Sequence, residues 1–468
     1  MKLRKPNAAA ALGSLTASVA LLAGIQGVHA QGAPGAGSFP GSFLVPGTQT
    51  SFKVGGYVKF DYTYDFGAQQ NINGGADPIG IALDSGPPHH IGNGSVLLPV
   101  VAAPADSGHH IHGTSQMTAS ESRFNIETRT PTAFGDVKTF IEGDFTNPNG
   151  LSNSNSLHVN SNSFGFRLRE AYGTLGPFLA GQTASLFRDS DAEAETLDFG
   201  GPMATGVTRQ PQVRYTFDFG NGLTWAVAAE NPQTQIFDVD DSSSSGFQTT
   251  FGAHQGDKIP DFTTAVVYTA PWGHLNLHAV FRDLYWHDGG SAAPAAEGAS
   301  TSTFGCGIGF SGTWNVPIGK DGLSWEAAYG RGAGRYINSD GAPTPDAFWT
   351  SSFDNSSGIG TRERVLKAVP AWLVNANYVH FWTDTLRSTI AGSYWHQDNK
   401  NGIGANQSNS NDNVSLLWKS AYTGHVNLIW SPVEQTNFGI EFMRMQGKLE
   451  SGQKGELTRV QVSAQFKF

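Results

Sequence analysis

The chain holds a single cysteine, Cys306, among 468 residues. That excludes an intramolecular disulfide framework and any CxxC metal site. Charge is scarce too. Asp, Glu, Lys and Arg together make up 15% of the chain, against about 25% in an ordinary soluble domain. Beyond residue 30 no apolar run is long enough for a spanning helix. No HExxH zinc motif and no GxSxG nucleophile motif occurs, so hydrolytic chemistry has no local support. Gly176–Thr183 has the outline of a phosphate-binding loop, but Gln182 stands where the lysine is needed and no helical pattern follows. The net charge is −10, which argues against nucleic-acid binding, since that needs a basic footprint. Nothing in these patterns calls for a cofactor.

The first residues read as a secretory leader. Lys2, Arg4 and Lys5 precede an alanine-rich apolar stretch, and Val28-His29-Ala30 supplies small residues for cleavage. We therefore expect a signal peptide over 1–30, a flexible lead-in over the Gly-, Pro- and Ser-rich residues 31–50, and one domain over 51–468.

What the chain has in quantity is glycine (58) and aromatics (30 Phe, 12 Tyr, 11 Trp), set in a strict period of two. Phe52, Val54, Val58, Phe60, Tyr62 and Tyr64 alternate with Lys53, Lys59, Asp61 and Asp65. In a strand this places apolar and polar residues on opposite faces. The pattern recurs about sixteen times, over 52–65, 120–130, 135–146, 163–174, 177–183, 208–218, 222–231, 258–270, 272–286, 303–315, 322–335, 363–380, 384–397, 413–431, 435–449 and 456–468. Connections after even-numbered strands are short, while most after odd-numbered strands are long and polar, such as 66–119, 232–257, 336–362 and 398–412. Long alternating strands with that asymmetry predict an all-β fold, a transmembrane antiparallel β-barrel in a Gram-negative outer membrane. Its surroundings would be membrane lipid and lipopolysaccharide. Trp225, Trp272, Tyr285, Trp286, Trp314, Trp325, Trp382, Trp395, Trp418 and Trp430 are expected to include interfacial girdles.

Such a barrel works by the width and charge of its lumen rather than by bond chemistry. Parity sends Lys53, Lys59, Arg123, Arg129, Lys138, Arg167, Arg169 and Arg214 inward as a basic wall, with Glu121, Glu127, Glu142 and Asp144 on the same faces. The segment after the fifth strand carries Asp189, Asp191, Glu193, Glu195 and Asp198 against a lone Arg188. Phe187, Leu197 and Phe199 punctuate it, which predicts a loop folded inward as a constriction. Glu170 breaks the rule, since alternation puts it on the lipid face of Phe166 and Leu168; an interface or a subunit contact would account for it. His89, His90, His109, His110 and His112 crowd the first long connection, but their spacing does not make a metal site.

Leu179–Asp189, Thr196–Pro202, Phe52–Asp61, Glu121–Asn125 and Arg167–Gly173 together resemble the DcaP-like family of trimeric outer-membrane porins. The closing Gln465-Phe-Lys-Phe468 resembles the terminal aromatic signal read by the barrel-assembly machinery. The resemblance implies a homotrimer, a constriction loop after the fifth strand, and uptake of dicarboxylates or other small anionic solutes. It departs from family members that carry a helical N-terminal extension, because residues 31–50 have no heptad pattern. A general or sugar porin without anion preference, an adhesin or phage receptor, and a barrel enzyme are the alternatives.

Overall fold

The computed structural model describes residues 35–70, 109–111, 114–147, 165–203, 208–238, 257–286, 301–338, 345–354, 361–399, 418–450, 452 and 454–468. The expected leader lies outside them, as do most of the long connections.

The wall is a closed antiparallel barrel of sixteen strands. These are β1 (Ser51–Gln70), β2 in two pieces (Thr114–Thr118 and Arg123–Thr132), β3 (Gly135–Asn147), β4 (Gly165–Leu175), β5 (Phe178–Ala184), β6 (Arg209–Asp218), β7 (Leu223–Glu230) and β8 (Asp261–Ala270). β9 (Gly273–Trp286), β10 (Thr301–Asn315), β11 (Gly322–Arg331), β12 (Pro370–Phe381), β13 (Leu386–Gln397), β14 (Trp418–Trp430), β15 (Thr436–Leu449) and β16 (Lys454–Lys467) complete it. β16 pairs with β1, from Tyr57 opposite Lys467 to Ala68 opposite Leu457, and this joint leaves no open edge. Apolar side chains of one parity, such as Val54, Val58, Phe60, Ile141 and Phe166, stay exposed on the outside. The opposite parity is polar and turns inward, as hydrocarbon requires.

Tight turns join the strands at one end. In Phe219-Gly220-Asn221-Gly222 three successive residues have φ of 74°, 54° and 81°, a left-handed run that only Gly and Asn accept readily. Trp225, Trp272, Trp314, Trp382 and Trp430 are exposed near this end and form the expected girdle. Tyr285, Trp286, Trp395 and Trp418 do not join it; all are buried.

The turn before β11 ties itself to β12. Asp321 accepts hydrogen bonds from Tyr378 Oη (2.5 Å), His380 Nδ1 (2.8 Å) and the Phe381 amide (3.0 Å). In that order they stabilise the ionised form and hold its pKa down at about 2. A carboxyl depressed in the folded state adds stability above its unfolded pKa, near 3.9, and loses it as pH falls towards 2. Urea midpoints measured from pH 5 to pH 2 should fall less steeply in Asp321→Asn than in the parent. Identical slopes would refute the assignment.

Two bulges account for the residues that defy alternation. Glu142 pairs with Glu170 but Gly143 pairs with Leu168, so Arg169 is an extra residue in β4. Paired residues share a face, so Glu170 lies inward with Glu142 and not against lipid or a subunit. Likewise Trp418 pairs with Leu449 and Ser420 with Lys448, which makes Lys419 the extra residue and turns Trp418 into the lumen.

Three further corrections concern element boundaries. Residues 35–50 are not an unpacked lead-in. Phe43–Leu44 pairs with Ser51 and Phe52, Ser38 N donates to Ser51 Oγ (2.8 Å), and buried Phe39 lies 4.4 Å under Arg129. The expected strand 363–380 is two elements. Thr361–Ala368 joins Ile236–Asp238 and Ala347–Asp354 in a separate small sheet, and the wall resumes at Pro370. The expected strand 322–335 ends at Arg331, and a short helix, Gly334–Ile337, follows. The small sheet packs inside the barrel, with Ile236, Ala347, Leu366 and Ala368 against Leu284 and Trp286 of β9.

Candidate pore constriction

β5 has only seven residues. The chain leaves the wall at Ser185, whose amide still bonds Thr208 O (2.9 Å), and turns into the barrel. Main-chain groups inside the lumen have no neighbouring strand, so each needs a partner from elsewhere. Residues 185–203 find theirs along the inner wall, strand after strand.

At the start, Glu230 of β7 accepts from Ser185 Oγ and from Leu186 N, both at 3.0 Å. Phe187 is fully buried, edge-on to His278 and Tyr336. Arg188 pairs with Glu326 of β11 (3.3 Å). Asp189 meets His274 Nε2 of β9 and Ser311 Oγ of β10, each at 2.7 Å. Asn377 of β12 donates to Ala192 O (3.3 Å). Arg387 of β13 holds Glu195 (2.7 Å), and Asn427 of β14 donates to Glu195 O (2.7 Å). Farther along, Glu441 of β15 accepts from Leu197 N (2.7 Å) and Asp198 N (3.3 Å), and the segment then turns back, Met203 N donating to Thr423 Oγ1 of β14 (2.9 Å). Lys59 of β1 and Gln461 of β16 donate to Leu197 O at 2.7 and 2.8 Å.

The segment thus follows the inside of the wall from β7 round to β1. The lumen faces of β2 to β6 carry none of these anchors. Arg188, Asp189 and Asp198 are buried fixings, and burial raises the pKa of the Asp198 carboxyl. Asp191 and Glu193 are exposed, and Glu195 is partly so. Asp189, Asp191 and His274 bring potential ligand atoms within 4.8 Å of one another, but His274 and Ser311 already engage Asp189 as part of the anchoring.

The basic wall is heavily paired. Lys59 binds Glu121, which shares the inward parity of Arg123, and Asp61 (3.2 Å). Arg123 pairs with Glu142 (3.2 Å), Arg129 with Glu127 (2.6 Å), and Lys138 with Glu127 (3.7 Å). Arg167 reaches Asp144 (2.8 Å), and Arg169 bridges Glu142 (3.1 Å) and Asp144 (2.9 Å). Arg214 donates to Ala184 O (2.6 Å) and Gln212. Lys53 stands beside Gly41 of the lead-in. Alternation missed Arg209, at the outward parity where β6 begins, which reaches Glu170 (3.6 Å). It also gave no sign that Glu230, Glu326 and Glu441 would be anchors, although all three have lumen parity. His89, His90 and His112 lie outside the described residues, and His109 and His110 pair through their backbone with Gln70 and Gln69.

The loop reaches back to the basic wall through Phe199. Its ring centre lies 5.1 Å from the guanidinium carbon of Arg169, 5.4 Å from Arg123 and 5.8 Å from Arg167.

A family model described as a porin subfamily matches residues 39–432. Curated relatives named Porin Omp2b, from Brucella abortus and Brucella melitensis, are 24% and 23% identical over 235 residues. That is 50% of this chain and 52% of each relative, so the chain spans about half the length of the curated relatives it matches. Among solved structures it is similar to the outer membrane channel DcaP of Acinetobacter baumannii, with TM-score 0.63 and 18% identity over 91% of this chain and 99% of that one. It is also similar to OmpT of Vibrio cholerae, with TM-score 0.47 and 8% identity over 91% and 99%. At 18% identity, the likeness to the DcaP channel speaks for the fold.

Proposed function

The chain belongs to this porin subfamily and is an outer-membrane β-barrel, and from that premise we propose that its lumen passes small hydrophilic solutes by diffusion and favours anionic organic molecules such as dicarboxylates. Residues 185–203 form the constriction in this reading. The open path lies between that segment and the basic wall of β2 to β6. No bond chemistry is involved, and the protein works as a homotrimer, the assembly implied by the resemblance to DcaP-like porins.

The layering of the paired charges carries the anion preference. The Arg129 side chain is 38% exposed over a Glu127 that is 15% exposed, and Arg167 is 29% exposed over a fully buried Asp144. In these two pairs the carboxylate sits beneath and the base faces the water, while at Arg169 the order reverses, with the base 7% exposed against 13% for Glu142. A solute therefore meets cations first at Arg129 and Arg167, although the chain as a whole is acidic. Guanidinium groups also present a planar fork that matches carboxylates. Asp191 and Glu193, exposed on the segment opposite, set a field across the path that orients solutes with separated charge.

Single-channel recording in a planar bilayer under a potassium chloride gradient tests this. Anion-selective current in steps of three, reduced by succinate, is expected. Arg129→Gln combined with Lys138→Gln should move the anion-to-cation permeability ratio towards cations by roughly two- to five-fold. These exposed pairs contribute little to stability, so the barrel should still fold. A cation-selective parent channel indifferent to succinate would leave a general pore and remove the substrate class.

A further inference from the structure

Phe199 stands out because its ring brings the inward segment against the arginines of β2 and β4. Its neighbours Leu197 and Asp198 are buried against the far wall, whereas Phe199 remains only partly covered. Three guanidinium groups lie within 6 Å of its ring, the distance at which a cation is drawn to an aromatic face.

The arginines are held from the other side. Asp144 and Glu142 accept from Arg167 and Arg169 and fix the planes of their forks. Arg123 gives one contact to Glu142, while its Nε–H is buried with no hydrogen-bond partner. That nitrogen is closed to water; an incoming acceptor instead reaches the exposed guanidinium edges of Arg123, whose side chain is 19% exposed, and of Arg167, at 29%, beside the ring. A compact hydrated anion gains nothing from that ring and must shed water to lie against it. A carboxylate with an apolar body can place its oxygens on a guanidinium edge and its carbon chain on Phe199.

We propose that Phe199 is a specificity-determining residue, which with Arg123, Arg167 and Arg169 forms a mixed subsite favouring carboxylates with an apolar flank over compact inorganic anions. This rests on the reading that the lumen passes anions, and it adds which anions pass best.

The test is a bilayer reversal potential with potassium chloride on one side and potassium butyrate on the other, which reads the butyrate-to-chloride permeability ratio. Phe199→Ala should lower the ratio roughly three- to ten-fold, the range a contact of this kind supports. Phe199→Leu keeps an apolar body but loses the ring, and should fall between. Alanine also widens the path, and that alone would help the larger anion, so a fall cannot come from size. A Phe199→Ala ratio equal to or above the parent overturns the proposal. Should that variant fail to show the heat-dependent gel shift of a folded barrel, the same criterion applies to Phe199→Leu. The potassium chloride gradient reads anion preference separately, so a failure of the earlier reading is distinguishable from a failure of this one.

Discussion

Glu441→Ala should give a channel with larger and noisier unit conductance than the parent. Glu441 is buried, and four donors converge on it: the Leu197 and Asp198 amides, His425 Nδ1 (3.0 Å) and Asn427 Nδ2 (3.2 Å). Alanine leaves all four without that acceptor. An unmade buried hydrogen bond costs about 1–3 kcal/mol, and two of the four donors are amides of the inward segment, so its bend at Leu197–Asp198 loses several kcal/mol of attachment. The flanks stay fixed, one through Glu230 and Asp189 and the other through Met203 N on Thr423 Oγ1 (2.9 Å), so the bend at Leu197–Asp198, left with only the bonds to Leu197 O, should swing rather than the whole segment leave. The current should then fluctuate between the parent level and higher ones, and polyethylene glycols that the parent excludes should enter. Glu441→Gln keeps one acceptor oxygen and should lie between. Parent-like conductance and size cut-off in Glu441→Ala would mean that the remaining anchors suffice.

Asp346→Ala should cost the barrel about 3–5 kcal/mol, the usual loss when one partner of a buried ion pair is removed. Asp346 and Arg282 are both fully buried and 2.8 Å apart. Asp346 also accepts from Gln235 N (2.9 Å) and Arg335 N (3.2 Å). The other carboxylate here, Asp261, is already shared by Arg282, Arg335 and Tyr336 Oη. It cannot balance two guanidinium groups alone. The same bonds tie the small inner sheet and the short helix to β8 and β9. The loss should appear as a lower urea midpoint for the folded barrel in detergent. A midpoint within about 1 kcal/mol of the parent would show that water can enter and solvate Arg282.

Much of this was legible in the sequence, because a barrel wall obeys a fixed period. The side that Lys59, Arg123 and Arg167 face followed from counting in twos. Phe187 and Leu197 announced that residues 185–203 fold inward, since exposed loops need no such anchors. Counting failed wherever the backbone inserts a residue. Glu170 and Trp418 were each assigned to the wrong face by one bulge, and nothing in the local residue types marks either bulge. Pro370 is the local sign of the break in 363–380. It lacks an amide for the ladder, and it stands where Thr361–Ala368 has left for the inner sheet and the wall resumes. The anchors Glu230, Glu326 and Glu441 could not be matched to the segment, because they are joined to it only through the closed barrel. Phe199 could be expected to pack on something, but not on arginines.

The strand ladder closes the wall into a cylinder, and of residues 185–203 only Ser185, through its amide on Thr208 O, extends that ladder. Changes in the length or residues of that stretch therefore redraw the aperture and leave the lipid-facing surface untouched. On the function proposed above, the division lets one cylinder serve relatives that pass different solutes. Divergence in cargo should then concentrate between Ser185 and Met203 and on the inner faces of β2 to β6, while the outward residues change under a separate constraint, that of remaining greasy.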